Sequence, residues 1–179
     1  GYLAFLDPPK PSARAALAAL RRRGVSCKVL TGDNALVTQK IAREVGLPVD
    51  GMLTGEDLDV LSDEALEPRL ASCTIFARLA PLQKERVIRL LQKGGSTVGY
   101  LGDGINDAPA LKAADVGLSV DNAVDVARES ADIILLRKNL NVLEAGIVEG
   151  RRTFANILKY IRMGASCNFG NMISMTGAS

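Results

Sequence analysis

TVGYLGDGINDAPALKAAD, residues Thr97 to Asp115, is the stretch from which the fold and chemistry of this chain can be read. An apolar run, Val98 to Leu101, breaks into Gly-Asp-Gly-Ile-Asn-Asp. A plain turn needs only a single Asp-Gly or Asn-Gly. Here Asp103 and Asp107 stand four residues apart with Asn106 between them, and Gly102 and Gly104 let the backbone come close to a ligand without a Cβ in the way. Mg²⁺ takes one or two carboxylates and completes its shell with water and phosphate oxygens, so this cluster has the composition of a hard-cation site.

Outward from the cluster, short apolar runs alternate with segments of helical period, the pattern of βαβ units and a mainly parallel sheet. Strands are expected at Tyr2–Leu6, Val25–Thr31, Met52–Thr54, Cys73–Ala77, Val98–Leu101, Val116–Val120 and Ile133–Leu136. Ser12 stands where it would cap a helix running to Arg23, and a second helix is expected from Asn34 to Glu44, closed by Gly46. The acidic stretch after Thr54 reads as helical. Pro81 opens a helix of period 3.6 that Gly94 and Gly95 stop. Short helices follow at Ala108–Ala113 and Ala123–Glu129, and a long one begins near Val142.

The composition narrows the chemistry. The chain has 179 residues, a net charge of +2 and no histidine. The charge gives no electrostatic reason to expect nucleic acid as a partner. Without histidine, Ser/His/Asp triads and imidazole zinc sites are excluded, and acid–base work falls to carboxylates and lysine. Cys27, Cys73 and Cys167 are widely spaced and odd in number, which fits a reducing compartment; the first two are expected as small buried hydrophobes in strands. Residues 155–179 hold no run of 18 apolar residues, yet they have the character of a segment that could begin a membrane span.

In an open α/β sheet, ligands gather beyond the carboxyl ends of the strands. Thr31 closes one apolar run, Asp103 and Asp107 close another, and Lys84 lies a short turn into the helix that follows a third. Phosphoryl transfer requires donors to the phosphoryl oxygens, a fixed cation and a metal on hard oxygen ligands. Thr31 and the Gly32 amide supply the first, Lys84 the second, and Asp103 with Asp107 the third. Singly, each residue also has an ordinary reading as a cap, a surface lysine or a turn.

The motifs LDPP (Leu6–Pro9), LTGDN (Leu30–Asn34), FARLAPLQK (Phe76–Lys84) and GDGINDAPALKAADVG (Gly102–Gly117) resemble the haloacid dehalogenase superfamily, and within it the phosphorylation domain of P-type ATPases. FLDPPK (Phe5–Lys10), SVDNAVDVARESADIILL (Ser119–Leu136) and CNFGNMIS (Cys167–Ser174) are similar to bacterial Mg²⁺-transporting members. The resemblance implies a Rossmann-like, mainly parallel sheet flanked by helices. It also implies Mg²⁺ as cofactor and ATP as substrate of the intact protein. Asp103 and Asp107 would be metal residues and Thr31, Gly32, Asp33, Arg78, Lys84 and Asn106 phosphate- or nucleotide-binding ones, with Lys84, Thr31, Asp103 and Asp107 counted as catalytic. For Arg78 a structural salt bridge is an equal alternative. Asp7 would order a hinge, and Asn168 and Asn171, three apart on a helix, would face transported ions or pack helices.

The family's phosphorylated aspartate lies in DKTGT, which does not occur here. The expected organisation is therefore the later part of a phosphorylation domain over 1–150, and a stalk with the start of the fifth transmembrane helix over 151–179. Nucleotide-binding, actuator and membrane domains of the same polypeptide would be its partners, at the cytoplasmic side of the bacterial inner membrane. The sheet would be incomplete beside Val25–Thr31 and Val98–Leu101, so the chain alone is expected to self-associate and to be inactive. Other readings are a pump for another cation such as Ca²⁺, a free-standing phosphatase of the superfamily, and a non-catalytic assembly module.

Overall fold

The computed structural model describes residues 10–137 and 139–177. The strand expected at Tyr2–Leu6 and the hinge role of Asp7 lie outside these residues. Helix α1 (Ala13–Arg22) follows the prolines, but Ser12 does not cap it: at φ −75° and ψ −14° it is already helical, and its side chain makes no capping bond. An N-cap needs an extended backbone to turn its oxygen onto the following amides.

The next strand is shorter than its apolar run. β1 covers only Val29–Leu30, and Cys27 stands outside it, half-buried. The run starts tied to α1, with the Val25 amide donating to the Leu20 carbonyl, and next to β1 the Lys28 ammonium donates to the carbonyls of Leu70, Ala71 and Cys73 at 2.7, 3.2 and 2.6 Å. Those carbonyls are at the end of a helix introduced below, where a cation is favoured by the aligned peptide dipoles.

Asn34 starts α2 (Ala35–Glu44), accepting from the Leu36 amide at 2.9 Å. β2 (Met52–Thr54) follows, and the acidic stretch resolves into two helices, α3 (Gly55–Val60) and α4 (Asp63–Ser72). Thr54 and Asp57 form a reciprocal capping box on α3. β3 (Ile75–Ala77) is wholly buried, and Cys73 is buried just before it rather than inside it. α5 (Pro81–Lys93) has proline in its first turn and Gly94 after its last, as expected.

The second half alternates strictly. β4 (Gly99–Leu101), a 3-10 turn (Ile105–Asp107), α6 (Ala108–Ala113), β5 (Val116–Val120), α7 (Asp125–Ser130) and β6 (Ile133–Leu135) lead into α8 (Leu140–Gly177). All strand pairs are parallel, and they form two three-stranded sheets, in the orders β1-β3-β2 and β4-β5-β6. The division falls between β1 and β4, the two runs beside which the sheet is expected to be incomplete. Among the described residues β1 and β4 are each an outer strand, and neither pairs with the other.

Packing joins what the ladders do not. Leu53, Leu58, Leu66, Leu70, Phe76 and Val87 fill a core on the first sheet, while Ile88, Tyr100, Ala110, Leu111 and Ala127 fill one on the second. Leu30 packs against both. α5 supplies Val87 to one cluster and Ile88 to the other. Its inner face, Lys84, Val87, Ile88 and Leu91, has the i, i+3, i+4, i+7 spacing of a buried stripe, and that spacing carries a lysine into the interior.

The chain divides into two compact units, Gly1–Asn141 and Val142–Ser179. The second consists of α8, whose side chains are almost all exposed. Arg151, Arg152, Lys159 and Arg162 are followed by no charged residue. Among the described residues no helix is long and apolar enough to cross a membrane.

Candidate functional site

Two polar groups form at carboxyl ends of strands. The first is tied to β1 and β3. Thr31 follows β1, its Oγ1 accepts from the Asp33 amide at 3.1 Å, and its hydroxyl donates to Asp33 Oδ2 at 3.0 Å. Backbone bonds lock this loop to the end of β3, with the Arg78 amide donating to the Asp33 carbonyl and the Leu79 amide to that of Thr31. The Gly32 amide is exposed and makes no hydrogen bond among the described residues.

Arg78 lies in the left-handed region at φ +54°, a conformation that is uncommon for a residue with a Cβ. Its carbonyl faces Gly55, where a Cβ would meet that oxygen at 2.5 Å. The guanidinium is half exposed and stands 3.8 Å from Glu56, a surface pair of little energetic weight.

The second group is built on α5, β4 and the 3-10 turn. The Lys84 ammonium donates to Asp107 Oδ1 at 2.7 Å, and the Tyr100 hydroxyl donates to the same oxygen at 2.7 Å. Asp107 Oδ2 accepts from the Gly104 amide at 3.1 Å. The side chains of Lys84 and Asp107 are only 10% and 13% exposed. Burial pushes the Asp107 carboxyl up. The hydrogen bonds from Lys84, Tyr100 and Gly104 and the lysine charge outweigh it and hold the group below the usual carboxylate range. The same carboxylate, together with burial, drives the Tyr100 phenol well above its ordinary value, with burial the larger cause.

Gly102 makes this arrangement possible, because a Cβ there would stand 2.6 Å from the Cβ of Asp107 and 2.9 Å from its Cγ. Ser119, fully buried on β5, donates to the Gly102 carbonyl at 2.8 Å and fixes the strand end.

Asp103 and Asn106 are exposed on the same loop. The Asp103 carbonyl accepts from the Val124 amide at 3.2 Å, and its residue borders a cavity of about 310 Å³ with Lys10, Leu101, Val120 and Leu135. The structure thus brings Lys84 and Asp107 together, and Thr31 with Asp33. No hydrogen bond joins Thr31 or Asp33 to Lys84 or Asp107 among the described residues. Asn168 and Asn171 lie exposed on α8, in the other unit.

Tyr100 and Ser119 were not singled out by their sequence context. Each has one polar atom in an otherwise apolar strand, and that isolated hydroxyl in a run such as VGYL or GLSV is the signal available.

A buried pair of carboxylate and lysine, with an exposed aspartate four residues earlier on the same loop beyond a parallel strand, has the donor types for a phosphoryl group and a hard cation. Comparison with known proteins agrees. The family profile for haloacid dehalogenase-like hydrolases matches residues 1–115. The chain belongs to that family. Over all 179 residues it is 58% identical to magnesium-transporting P-type ATPases 1 of Salmonella typhimurium and Escherichia coli, covering 20% of their length. It is 36% identical over 177 residues to a calcium-transporting ATPase of Listeria monocytogenes, again over 20% of that protein. The chain therefore spans about a fifth of the length of these relatives.

Among solved structures, it is similar to a zinc-transporting PIB-type ATPase in an E2.Pi state, with a TM-score of 0.68 and 32% identity over 86% of this chain and 21% of that one. It also matches the catalytic domain of the CPx-ATPase CopB-B, with a TM-score of 0.60 and 27% identity over 78% of this chain and 45% of that one. The haloacid dehalogenase resemblance of the sequence and the helix-flanked parallel architecture are both borne out.

Proposed function

We propose that this chain is part of the catalytic unit of an ATP-driven P-type cation pump, and that the pump carries Mg²⁺. The observation that carries the catalytic reading is the Lys84–Asp107 contact, 2.7 Å long and nearly closed to water, one turn from the exposed carboxylate of Asp103. The ion assignment draws on likeness, which is 58% to magnesium transporters against 36% to the calcium transporter.

On this reading the γ-phosphoryl of ATP passes to an aspartate supplied by another part of the polypeptide and is then hydrolysed. The residues present fit a bound Mg²⁺: Asp103 is an exposed hard-oxygen donor, while Asp107, whose oxygens already accept three hydrogen bonds, acts beside the metal. Bound Mg²⁺ supplies neutralisation of phosphoryl charge. The Gly32 amide donates to phosphoryl oxygens, the Thr31 hydroxyl turns its one proton from Asp33 Oδ2 to do the same, and Lys84 brings its positive charge to the transferring group. Asp33 holds Thr31 in place, Asn106 orients phosphate or metal-bound water, and Arg78 contacts nucleotide.

Residues 1–150 form the catalytic portion in this reading and 151–179 a stalk toward the membrane. The chain then works on the cytoplasmic side of a bacterial inner membrane, alongside nucleotide-binding, actuator and membrane domains of the same polypeptide. Asn168 and Asn171 are the candidate contacts to the transported ion.

The full-length protein tests this. It is expected to form an acid-stable phosphoenzyme from γ-labelled ATP with Mg²⁺, and Asp103→Asn is expected to suppress it. Normal labelling of that variant at ordinary Mg²⁺ concentration would remove Asp103 from the metal site.

A further inference from the structure

We infer that Tyr100 is a positioning residue whose hydroxyl holds the Asp107 carboxylate in place when Lys84 turns toward a phosphoryl group; this rests on the phosphoryl-transfer reading above. The geometry is unusual in one respect. Lys84 and Tyr100 both donate to Oδ1 of Asp107, each at 2.7 Å, while Oδ2 has only the Gly104 amide at 3.1 Å.

The Lys84 ammonium has three donors and spends one on Asp107, so a phosphoryl oxygen can take another; sharing its charge between the two anions weakens its hold on the carboxylate. A buried carboxylate less firmly held by its cation is costly unless other donors remain. With Tyr100 in place, Oδ1 keeps a second donor through that sharing. Without it, the oxygen would have only the weakened one.

Position supports the assignment. Tyr100 is buried on β4 in one core cluster with Ile88, Ala110 and Leu111, and its hydroxyl is directed to Asp107. It approaches Asp107 from the strand side, whereas Lys84 approaches from α5. The two donors therefore belong to separate elements, and one can move without the other.

The test uses the full-length protein with Tyr100→Phe, Asp107→Asn and the double variant. Phosphoenzyme formation from γ-labelled ATP is expected to slow about tenfold in Tyr100→Phe, in line with a hydrogen bond to a charged acceptor, with half-saturating ATP unchanged. In the Asp107→Asn background, where the acceptor carries no charge, the same change is expected to cost clearly less. Equal loss in both backgrounds would overturn the inference, as would a rise in half-saturating ATP without a change in maximal rate. A second measurement needs no turnover: the Cζ NMR shift of ¹³C-labelled tyrosine at position 100. It is expected to report a retained hydrogen bond on adding Mg²⁺ and orthovanadate, and to change in Asp107→Asn. Loss of that bond on addition, or a shift indifferent to Asp107→Asn, would overturn the inference. Absence of phosphoenzyme in the unmodified protein would instead defeat the functional reading and leave this measurement to decide Tyr100.

Discussion

Lys84 on α5 and Asp107 in the 3-10 turn meet at 2.7 Å with both side chains nearly excluded from water. That contact joins the helix spanning both core clusters to the loop beyond β4. Removing one member leaves the other charge buried without its partner, which costs more than the pair contributes. Lys84→Met is therefore expected to destabilise the chain by about 3 to 5 kcal/mol. Asp107→Asn should cost less, since the amide oxygen still accepts from Lys84 and Tyr100. The double variant should lose less than the sum. Urea midpoints for the three variants check this, and strict additivity would mean that the pair is not coupled.

The same carboxylate sets an acid limit. Asp107 is held below the carboxylate range in the fold, so it contributes stability above its unfolded value of about 4 and loses that contribution as pH falls through the folded value. The melting temperature of the wild-type chain is expected to approach that of Asp107→Asn as pH drops from about 5 toward 3. A gap that stayed constant across that range would assign the shift elsewhere.

Gly102 and Gly104 flank Asp103 but are not equivalent. A Cβ at 102 would stand 2.6 Å from the Asp107 Cβ, whereas at 104 the nearest atom is Asp107 Oδ2 at 3.4 Å. The first clash is with atoms next to the backbone and the second with a carboxylate oxygen that can turn aside. Gly102→Ala is expected to cost about 1 to 3 kcal/mol as an overpacked site, and Gly104→Ala clearly less. Thermal melts of the two proteins decide it, and a reversed order would show that the loop moves as a unit.

Local rules carried the sequence far in the second half. Proline at the start of α5, glycine after it, and the punctuation of Ala108–Ala113 and Val116–Val120 agree with short-range propensity, and those elements stand where the pattern puts them. What escaped depends on groups distant in sequence. Lys28 leaves an apolar run to reach carbonyls more than forty residues away, beside a β1 of two residues. Lys84 finds Asp107 across 23 positions, a pairing that periodicity can place on an inner face but cannot name. Tyr100 reads as one more residue of an apolar strand, and only the fold gives its hydroxyl a partner.

The division of the strands into two sheets leaves the outer sides of β1 and β4 uncovered among the described residues. The amides of Val29 and Thr31 donate to β3, so those of the intervening Leu30 point to the other side of β1. Likewise the Gly102 amide donates to Leu118, which turns the backbone groups of Leu101 away from β5. Among the described residues no strand covers either outer edge, and Leu101 is 39% exposed. Uncovered parallel edges with apolar side chains template pairing with another chain. The purified chain is therefore expected to self-associate at micromolar concentration. Leu101→Lys should reduce that association, because a charge on an edge strand opposes edge-to-edge pairing while leaving the ladder to β5 intact. Sedimentation velocity with circular dichroism on both proteins separates the outcomes. Loss of association with unchanged secondary structure places the contact at the β4 edge. Association that is equally strong in the variant moves it to β1 or α8, and a stable wild-type monomer would show that these edges are satisfied within one chain.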